Sequence, residues 1–132
     1  MIVVDSSVWI ANLRGMDRPA VRRLRALKQE DSGRILVGDV VLLEVLQGAR
    51  DEANAIRLEQ LLRIYPVVPM LDARLASAAA VHYRRLRRQG ITVRKTADMI
   101  IGTFCIDGGH ELLHDDRDFA PMAEHLGLRV LL

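Results

Sequence analysis

Short apolar runs alternate with amphipathic helical stretches along the chain, and this alternation constrains its fold most strongly. Ile2–Val4 is apolar and β-branched, as a buried strand requires, and it stops at Asp5. Strands separated by helices pair in parallel, and a parallel sheet is covered by helices on both faces. We therefore expect an α/β fold with a central parallel sheet.

Apolar periodicity, together with residues that begin and end helices, places the individual elements. Pro19 suits the first turn of a helix, and Asp39, Asp72 and Thr96 are expected helix caps. The expected strands lie at 2–4, 35–37, 67–68, 112–113 and 129–132. The expected helices lie at about 8–13, 19–27, 40–46, 52–63, 73–89, 97–107 and 121–125.

Composition indicates one globular domain over residues 1–132, since no repeat or long Gly/Ser/Pro linker interrupts the chain. The 19 Lys and Arg residues face 17 Asp and Glu residues. The resulting net charge of +2 is too small for a protein that coats nucleic acid over its whole surface.

Membrane insertion, secretion and structural zinc are not expected. No apolar run approaches the ~18 residues that a membrane helix needs, and Asp5 interrupts the apolar N-terminus before a signal segment could form. Cys105 is the only cysteine, so neither an intrachain disulfide nor a zinc site made of thiolates is expected. We expect a cytoplasmic protein in which Cys105 is a core residue.

Acidic residues follow the expected strands or lie on neighbouring helices. Asp5 follows the first strand, and Asp116 follows residues 112–113 by a few positions, so both should emerge at the carboxyl edge of the sheet, where ligands bind. Asp98, in the first turn of a helix, and Glu44 can reach the same edge. Four carboxylates this close repel one another unless a cation neutralises them.

Oxygen ligands of this kind favour Mg²⁺ or Mn²⁺. Such an ion polarises a phosphate and activates a water, and a second ion can stabilise the leaving oxygen, so the acids together predict a phosphodiesterase. Each acid also has a simpler explanation. Asp98 would complement its helix dipole, Asp118 would cap the last helix, and Glu44 would be an exposed helical carboxylate.

Four segments of the sequence resemble PIN-domain ribonucleases, and among them the VapC-type toxins of type II toxin–antitoxin pairs. The resemblance spans essentially the whole chain and implies a three-layer α/β/α fold with about five short parallel strands. The segments that carry it are 2–10, 41–48, 96–102 and 112–119.

The resemblance implies that each segment contributes one carboxylate to a catalytic pocket holding Mg²⁺ or Mn²⁺. It also implies a VapB-type antitoxin that covers the pocket, and a homodimer, with a larger toxin–antitoxin assembly as an alternative. The implied catalytic and metal-binding residues are Asp5, Glu44, Asp98 and Asp116.

Three further residues of these segments have implied or open roles. Asp118 would be an auxiliary acid. Ser6 would orient Asp5 or contact the substrate phosphate, and capping of the first helix is an equal alternative. Asp115 adds another acid, so which of residues 115, 116 and 118 lies nearest the metal stays open.

A basic cluster leads into Asp98 and is the candidate for contacts with RNA phosphates, the alternative being a solvated helix face. The five aromatic residues do not form an interleaved stacking platform, and Trp9 and Phe119 are expected in the core. His114 is either a proton shuttle or a polar residue at a strand edge. The tentative substrate-binding residues are Arg87, Arg88, Arg94 and Lys95.

The sequence therefore predicts a metal-dependent endoribonuclease that hydrolyses RNA as the toxin of a VapBC-type pair and is neutralised by its antitoxin. Two alternatives remain: a PIN nuclease that acts in RNA maturation, and a non-catalytic interaction module with an acidic pocket. A receiver-type phosphotransfer domain is not favoured, because residues 67–69 offer no phosphoacceptor aspartate.

Overall fold

A five-stranded parallel sheet lies at the centre of the protein in a computed structural model that describes residues 1–131. The strands are β1 (Ile2–Val4), β2 (Ile35–Gly38), β3 (Val67–Val68), β4 (Glu111–Leu113) and β5 (Arg129–Val130). The helices are α1 (Ser6–Leu13), α2 (Pro19–Glu30), α3 (Asp39–Gln47), α4 (Glu52–Leu62), α5 (Ala73–Arg88), α6 (Thr96–Gly108) and α7 (Ala120–His125). Short 3₁₀ turns occupy Ser32–Arg34 and Arg117–Phe119.

The strand order is β3-β2-β1-β4-β5, and every neighbouring pair is parallel, which confirms the predicted α/β class. Val3 of the central strand pairs with Leu36 on one side and with Leu112 on the other. The chain winds outward from β1 through β2 and β3 and then returns to the opposite side of β1 at β4. The crevice between β1 and β4 is thus the topological switch point, where ligands bind in open parallel sheets.

Burial along β1 explains why helices cover both faces. Successive side chains of a strand point to opposite faces of the sheet. Ile2, Val3 and Val4 are nevertheless all fully buried, so both faces are packed. The result is the predicted three-layer α/β/α arrangement, whose interior also holds the expected core residues Trp9, Phe119 and Cys105.

Helix starts differ from the prediction at two of the three expected caps. Asp72 does cap α5, accepting the backbone N–H of Leu75 at 2.8 Å. Asp39 lies inside the first turn of α3 and accepts the N–H of Met70 at 3.1 Å, because the Met70 side chain packs against Gly38 and brings that segment close. Thr96 is the first residue of α6 rather than its cap.

The last predicted strand was longer than the observed β5, which ends at Val130, and its final residue, Leu132, lies outside the described part of the chain. α6 ends at Gly108 and is capped by Gly109, whose φ of 68° is a left-handed conformation that suits glycine after a helix C-terminus.

Within residues 1–131, no helix has both the length and the apolar character needed to cross a membrane.

Candidate active site

A pocket of about 260 Å³ lies beyond the carboxyl ends of β1 and β4, and the four acids singled out in the sequence line it together. They come from four different segments: the end of β1, helix α3, the first turn of α6 and the loop after β4. The remaining lining residues are two serines, an isoleucine, a glutamine and a lysine. The lining residues are Asp5, Ser6, Ser7, Ile10, Glu44, Gln47, Lys95, Asp98 and Asp116.

Asp5 is held by the start of the helix that follows it. Its side chain is 3% exposed, and Oδ2 accepts the backbone N–H of Ser7 at 3.1 Å and the Ser7 hydroxyl at 2.6 Å. Oδ1 is buried and has no hydrogen-bond partner among the described residues. Burial raises the pKa of Asp5, and the Ser7 hydrogen bonds oppose that rise.

Glu44 is half-buried on α3 and is fixed by the neighbouring serine. The Ser6 hydroxyl donates to Glu44 Oε1 at 3.0 Å. Burial is the largest cause that raises the pKa of Glu44, and the nearby Asp5 and Asp116 carboxylates add to it. Ser6 therefore bonds Glu44 rather than Asp5, and the residue that caps α1 is Asp5, not Ser6.

Asp98 is the most perturbed acid of the pocket. It is 4% exposed in the first turn of α6, and its Oδ2 has no hydrogen-bond partner within residues 1–131. Burial, followed by the charges of Asp5 and Asp116, raises its pKa to about 7. A strongly raised carboxyl pKa in a pocket is typical of a functional site.

Of the three acids of the last motif, Asp116 and Asp118 lie together and Asp115 lies apart from them. Carboxylate oxygens of Asp98, Asp116 and Asp118 lie within 4.8 Å of one another, close enough to share a cation. Asp5 and Glu44 line the same pocket without joining this tight group. Asp115 instead receives hydrogen bonds from the Arg18 guanidinium, with Nη2 3.1 Å from Oδ1.

Of the four predicted substrate-binding cations, Lys95 alone lines the pocket. Its Nζ lies 3.9 Å from Asp116 Oδ2, and its charge lowers the pKa of Asp98 and Glu44. Lys95 thus acts as a counter-ion to the acids. Arg87 is exposed on α5, where it donates to the Tyr83 hydroxyl, and Arg88 and Arg94 are also exposed.

His114 points its ring toward the loop backbone rather than into the pocket lining. Its Nδ1 accepts the N–H of Asp116 at 3.2 Å, which requires an unprotonated nitrogen, and the ring packs on Phe119. Burial lowers the pKa of His114 against the opposing pull of Asp5, Asp116 and Asp115. This geometry favours the polar strand-edge interpretation over a proton shuttle.

Two polar pocket residues, Ser7 and Gln47, were not among the site residues predicted from the sequence. Gln47 lies one helical turn after Glu44, and that spacing was a usable signal. Ser7, two residues after the strand-terminal Asp5, stands where a polar side chain can bond back to that aspartate.

Comparison with known families decides the identity of the fold. The profile of the PIN domain family matches residues 2–125. The chain belongs to the PIN domain family. It is 34% identical to ribonuclease VapC11 of Mycobacterium tuberculosis over 129 residues, which cover 98% of this chain and 96% of that protein.

Solved structures of low sequence identity share the fold of this PIN domain. VapBC2 from Rickettsia felis, bound to a DNA fragment from its promoter, has a TM-score of 0.76 at 15% identity and covers 99% of this chain and 98% of that one. VapC20 of Mycobacterium tuberculosis, a toxin that cleaves the sarcin-ricin loop, has a TM-score of 0.67 at 18% identity, covering 91% and 93% of the two chains.

The pocket of this PIN domain fits a hard divalent cation. Its donors are carboxylate oxygens, which Mg²⁺ and Mn²⁺ prefer. Two of these oxygens, Asp5 Oδ1 and Asp98 Oδ2, are buried and lack a hydrogen-bond partner among the described residues. Unpaired buried carboxylates are costly, and a bound cation would remove that cost.

The raised pKa of Asp98 predicts a pH-dependent stability in the metal-free PIN domain. Its pKa is about 7 in the folded protein against an ordinary value of 3.8, so the folded state binds the extra proton between these values. The contribution of Asp98 to stability is therefore fully present below about pH 4 and lost as pH rises through 7. Asp98→Asn should raise the free energy of unfolding at pH 8 by up to about 3 kcal/mol more than at pH 5, because about two pH units separate pH 5 from the folded pKa.

Urea unfolding in the presence of a chelator measures this difference. Asp107→Asn at the other end of α6 is the matched control: Arg74 lowers the pKa of Asp107, so that residue stays ionised across this range. Equal effects of Asp98→Asn at pH 5 and pH 8 would contradict the raised pKa.

Proposed function

We propose that this PIN domain is a Mg²⁺- or Mn²⁺-dependent endoribonuclease that hydrolyses RNA phosphodiester bonds. One observation carries the proposal: four carboxylates from four segments line one pocket at the switch point of the sheet, and two of them have a buried oxygen without a hydrogen-bond partner within residues 1–131. The 34% identity to a VapC ribonuclease over nearly the full chain supports the same reaction.

Asp5, Asp98 and Asp116 are the proposed metal ligands, with Glu44 as a further ligand and Asp118 as an auxiliary acid. The close approach of their oxygens supports Asp98, Asp116 and Asp118. Asp5 and Glu44 are included because they line the same pocket, and Asp5 has a buried oxygen without a hydrogen-bond partner among the described residues. When bound there, the ion would supply charge to a phosphate oxygen and make a water molecule more acidic.

The chain's own residues would orient the acids and accept the proton that the attacking water loses. Ser6 holds the carboxylate of Glu44, which would accept a proton from a water molecule in the pocket. Lys95 would add positive charge beside Asp116, where an RNA phosphate has to approach. In hydrolysis, a bond forms between the water oxygen and phosphorus, and the bond from phosphorus to the leaving ribose oxygen breaks.

A nuclease of this kind endangers its own cell unless it is restrained, and the solved structures that share its fold include the toxin VapC20. We infer that the chain is the toxin of a VapBC-type pair and that a VapB-type antitoxin neutralises it by covering the acidic pocket. The relationship to VapC11 and the shared fold with VapBC2 support this. We propose a homodimer as the toxin's own assembly; RNA and antitoxin would both be met in the cytoplasm.

Metal-dependent cleavage of RNA tests the proposed activity. The purified protein is expected to cut a mixed pool of single-stranded and loop RNAs when Mn²⁺ or Mg²⁺ is present and to stop when a chelator removes the ion. Asp98→Asn should lower the rate by about two orders of magnitude or more, because it removes a charged ligand.

Asp107→Asn, on the same helix but paired with Arg74 away from the pocket, is the control and should cut at the wild-type rate. An Asp98→Asn variant that cleaves as fast as the wild type would refute the assignment of the metal site.

The exposed arginines at the end of α5 provide a separate test of RNA binding. Arg87→Ala combined with Arg88→Ala should weaken RNA binding. It should also reduce the slope of the logarithm of the binding constant against the logarithm of salt concentration by about two, because each arginine would neutralise one phosphate. Arg23→Ala with Arg25→Ala on α2 makes the same change in net charge elsewhere. Filter binding across salt concentrations measures the slopes of both variants. An unchanged slope in the α5 variant would show that Arg87 and Arg88 belong to a solvated helix face and do not bind RNA.

A further inference from the structure

Ser7 makes hydrogen bonds that connect the two strands flanking the switch point. Its hydroxyl donates to Asp5 Oδ2 at 2.6 Å, and the same oxygen atom of Ser7 accepts the backbone N–H of Asp115 at 3.1 Å. The backbone N–H of Ser7 also donates to Asp5 Oδ2, at 3.1 Å. One side chain thus joins the aspartate that follows β1 to the loop that follows β4.

These bonds leave the two oxygens of Asp5 in different states. Oδ2 accepts both donors of Ser7, whereas Oδ1 is buried and has no hydrogen-bond partner among the described residues. A carboxylate free to rotate would lose rotational freedom on binding a ligand, which weakens binding. With Oδ2 already fixed, Oδ1 is the oxygen of Asp5 that remains for a ligand.

The loop that bonds Ser7 is itself braced from outside the pocket. Arg18, directly before α2, donates to both carboxylate oxygens of Asp115. This ion pair is partly exposed to solvent, which screens it, so its own energy is small. Its effect is on position, since it holds the loop whose N–H meets the Ser7 hydroxyl.

We propose that Ser7 is a positioning residue of the acidic site, whose hydroxyl fixes Asp5 so that Oδ1 is presented to a divalent cation. The inference rests on the proposed metal-dependent function and extends it to a residue that does not itself bind the ion. Groups that orient metal ligands typically change metal affinity or activity by about 10–100-fold.

Calorimetric titration of the folded protein with Mn²⁺, without RNA, tests this role. Ser7→Ala should weaken the affinity for Mn²⁺ by about 10–100-fold. Ser7→Thr keeps the hydroxyl and should stay within about threefold of the wild type, whereas Ser7→Cys, nearly equal in size but a weak donor, should fall toward the alanine variant. Ser77→Ala removes an exposed serine of α5 and should leave the affinity unchanged.

The possible results distinguish failure of the proposed role of Ser7 from failure of the proposed metal-dependent function. A purely structural role for Ser7 would lower the unfolding temperature of Ser7→Ala and leave the Mn²⁺ affinity of its folded form unchanged, which would overturn the inference alone. Ser7→Cys gives the same decision should Ser7→Ala fail to fold, since wild-type affinity in that variant would also overturn it. A wild-type protein that binds no Mn²⁺ would overturn both the inference and the metal-dependent function.

Discussion

The mutual repulsion of carboxylates gathered at one edge of the sheet is the constraint on which the rest of the site depends. Asp5 and Asp98 are almost fully buried, and each keeps an oxygen without a hydrogen-bond partner among the described residues. Burial and neighbouring charge raise the pKa of Asp98 to about 7, so ionising this carboxyl at neutral pH costs free energy in the metal-free fold. A divalent cation bound between these carboxylates would offset the free energy that their burial and mutual repulsion cost.

The surrounding fold holds the acids close in spite of this repulsion. Parallel pairing of β1 with β4 brings the residues that follow both strands to the same edge, and Asp5 directly follows the fully buried strand β1. Ser6 and Ser7 each orient one carboxylate, and Lys95 offers a partial counter-charge. The nearly neutral net charge of the chain therefore conceals a strongly negative pocket that contains one lysine, an arrangement suited to attracting a metal ion.

The sequence predicted the architecture and the location of the acidic pocket because both depend on periodicity. An apolar run that ends at an acid fixes where that acid emerges from a parallel sheet, and an acid in the first turn of a helix faces the same edge. Contacts between distant segments could not be predicted in this way. Asp115 and Asp116 are adjacent in sequence, yet Arg18, far away in the chain, draws one outward while the other lines the pocket. Asp39 failed as a cap for the same reason, since the N–H of Met70 captures its carboxylate.

The proposed metal site is tested most directly by X-ray diffraction at the manganese absorption edge from a crystal of the protein grown with Mn²⁺. We expect an anomalous peak bound by carboxylate oxygens of Asp5, Asp98 and Asp116, with Asp5 contributing Oδ1 and Asp115 still paired with Arg18. Saturating Mn²⁺ that gives no peak in this pocket, or a peak held by other residues, would contradict the claim that these acids converge in order to hold a metal ion.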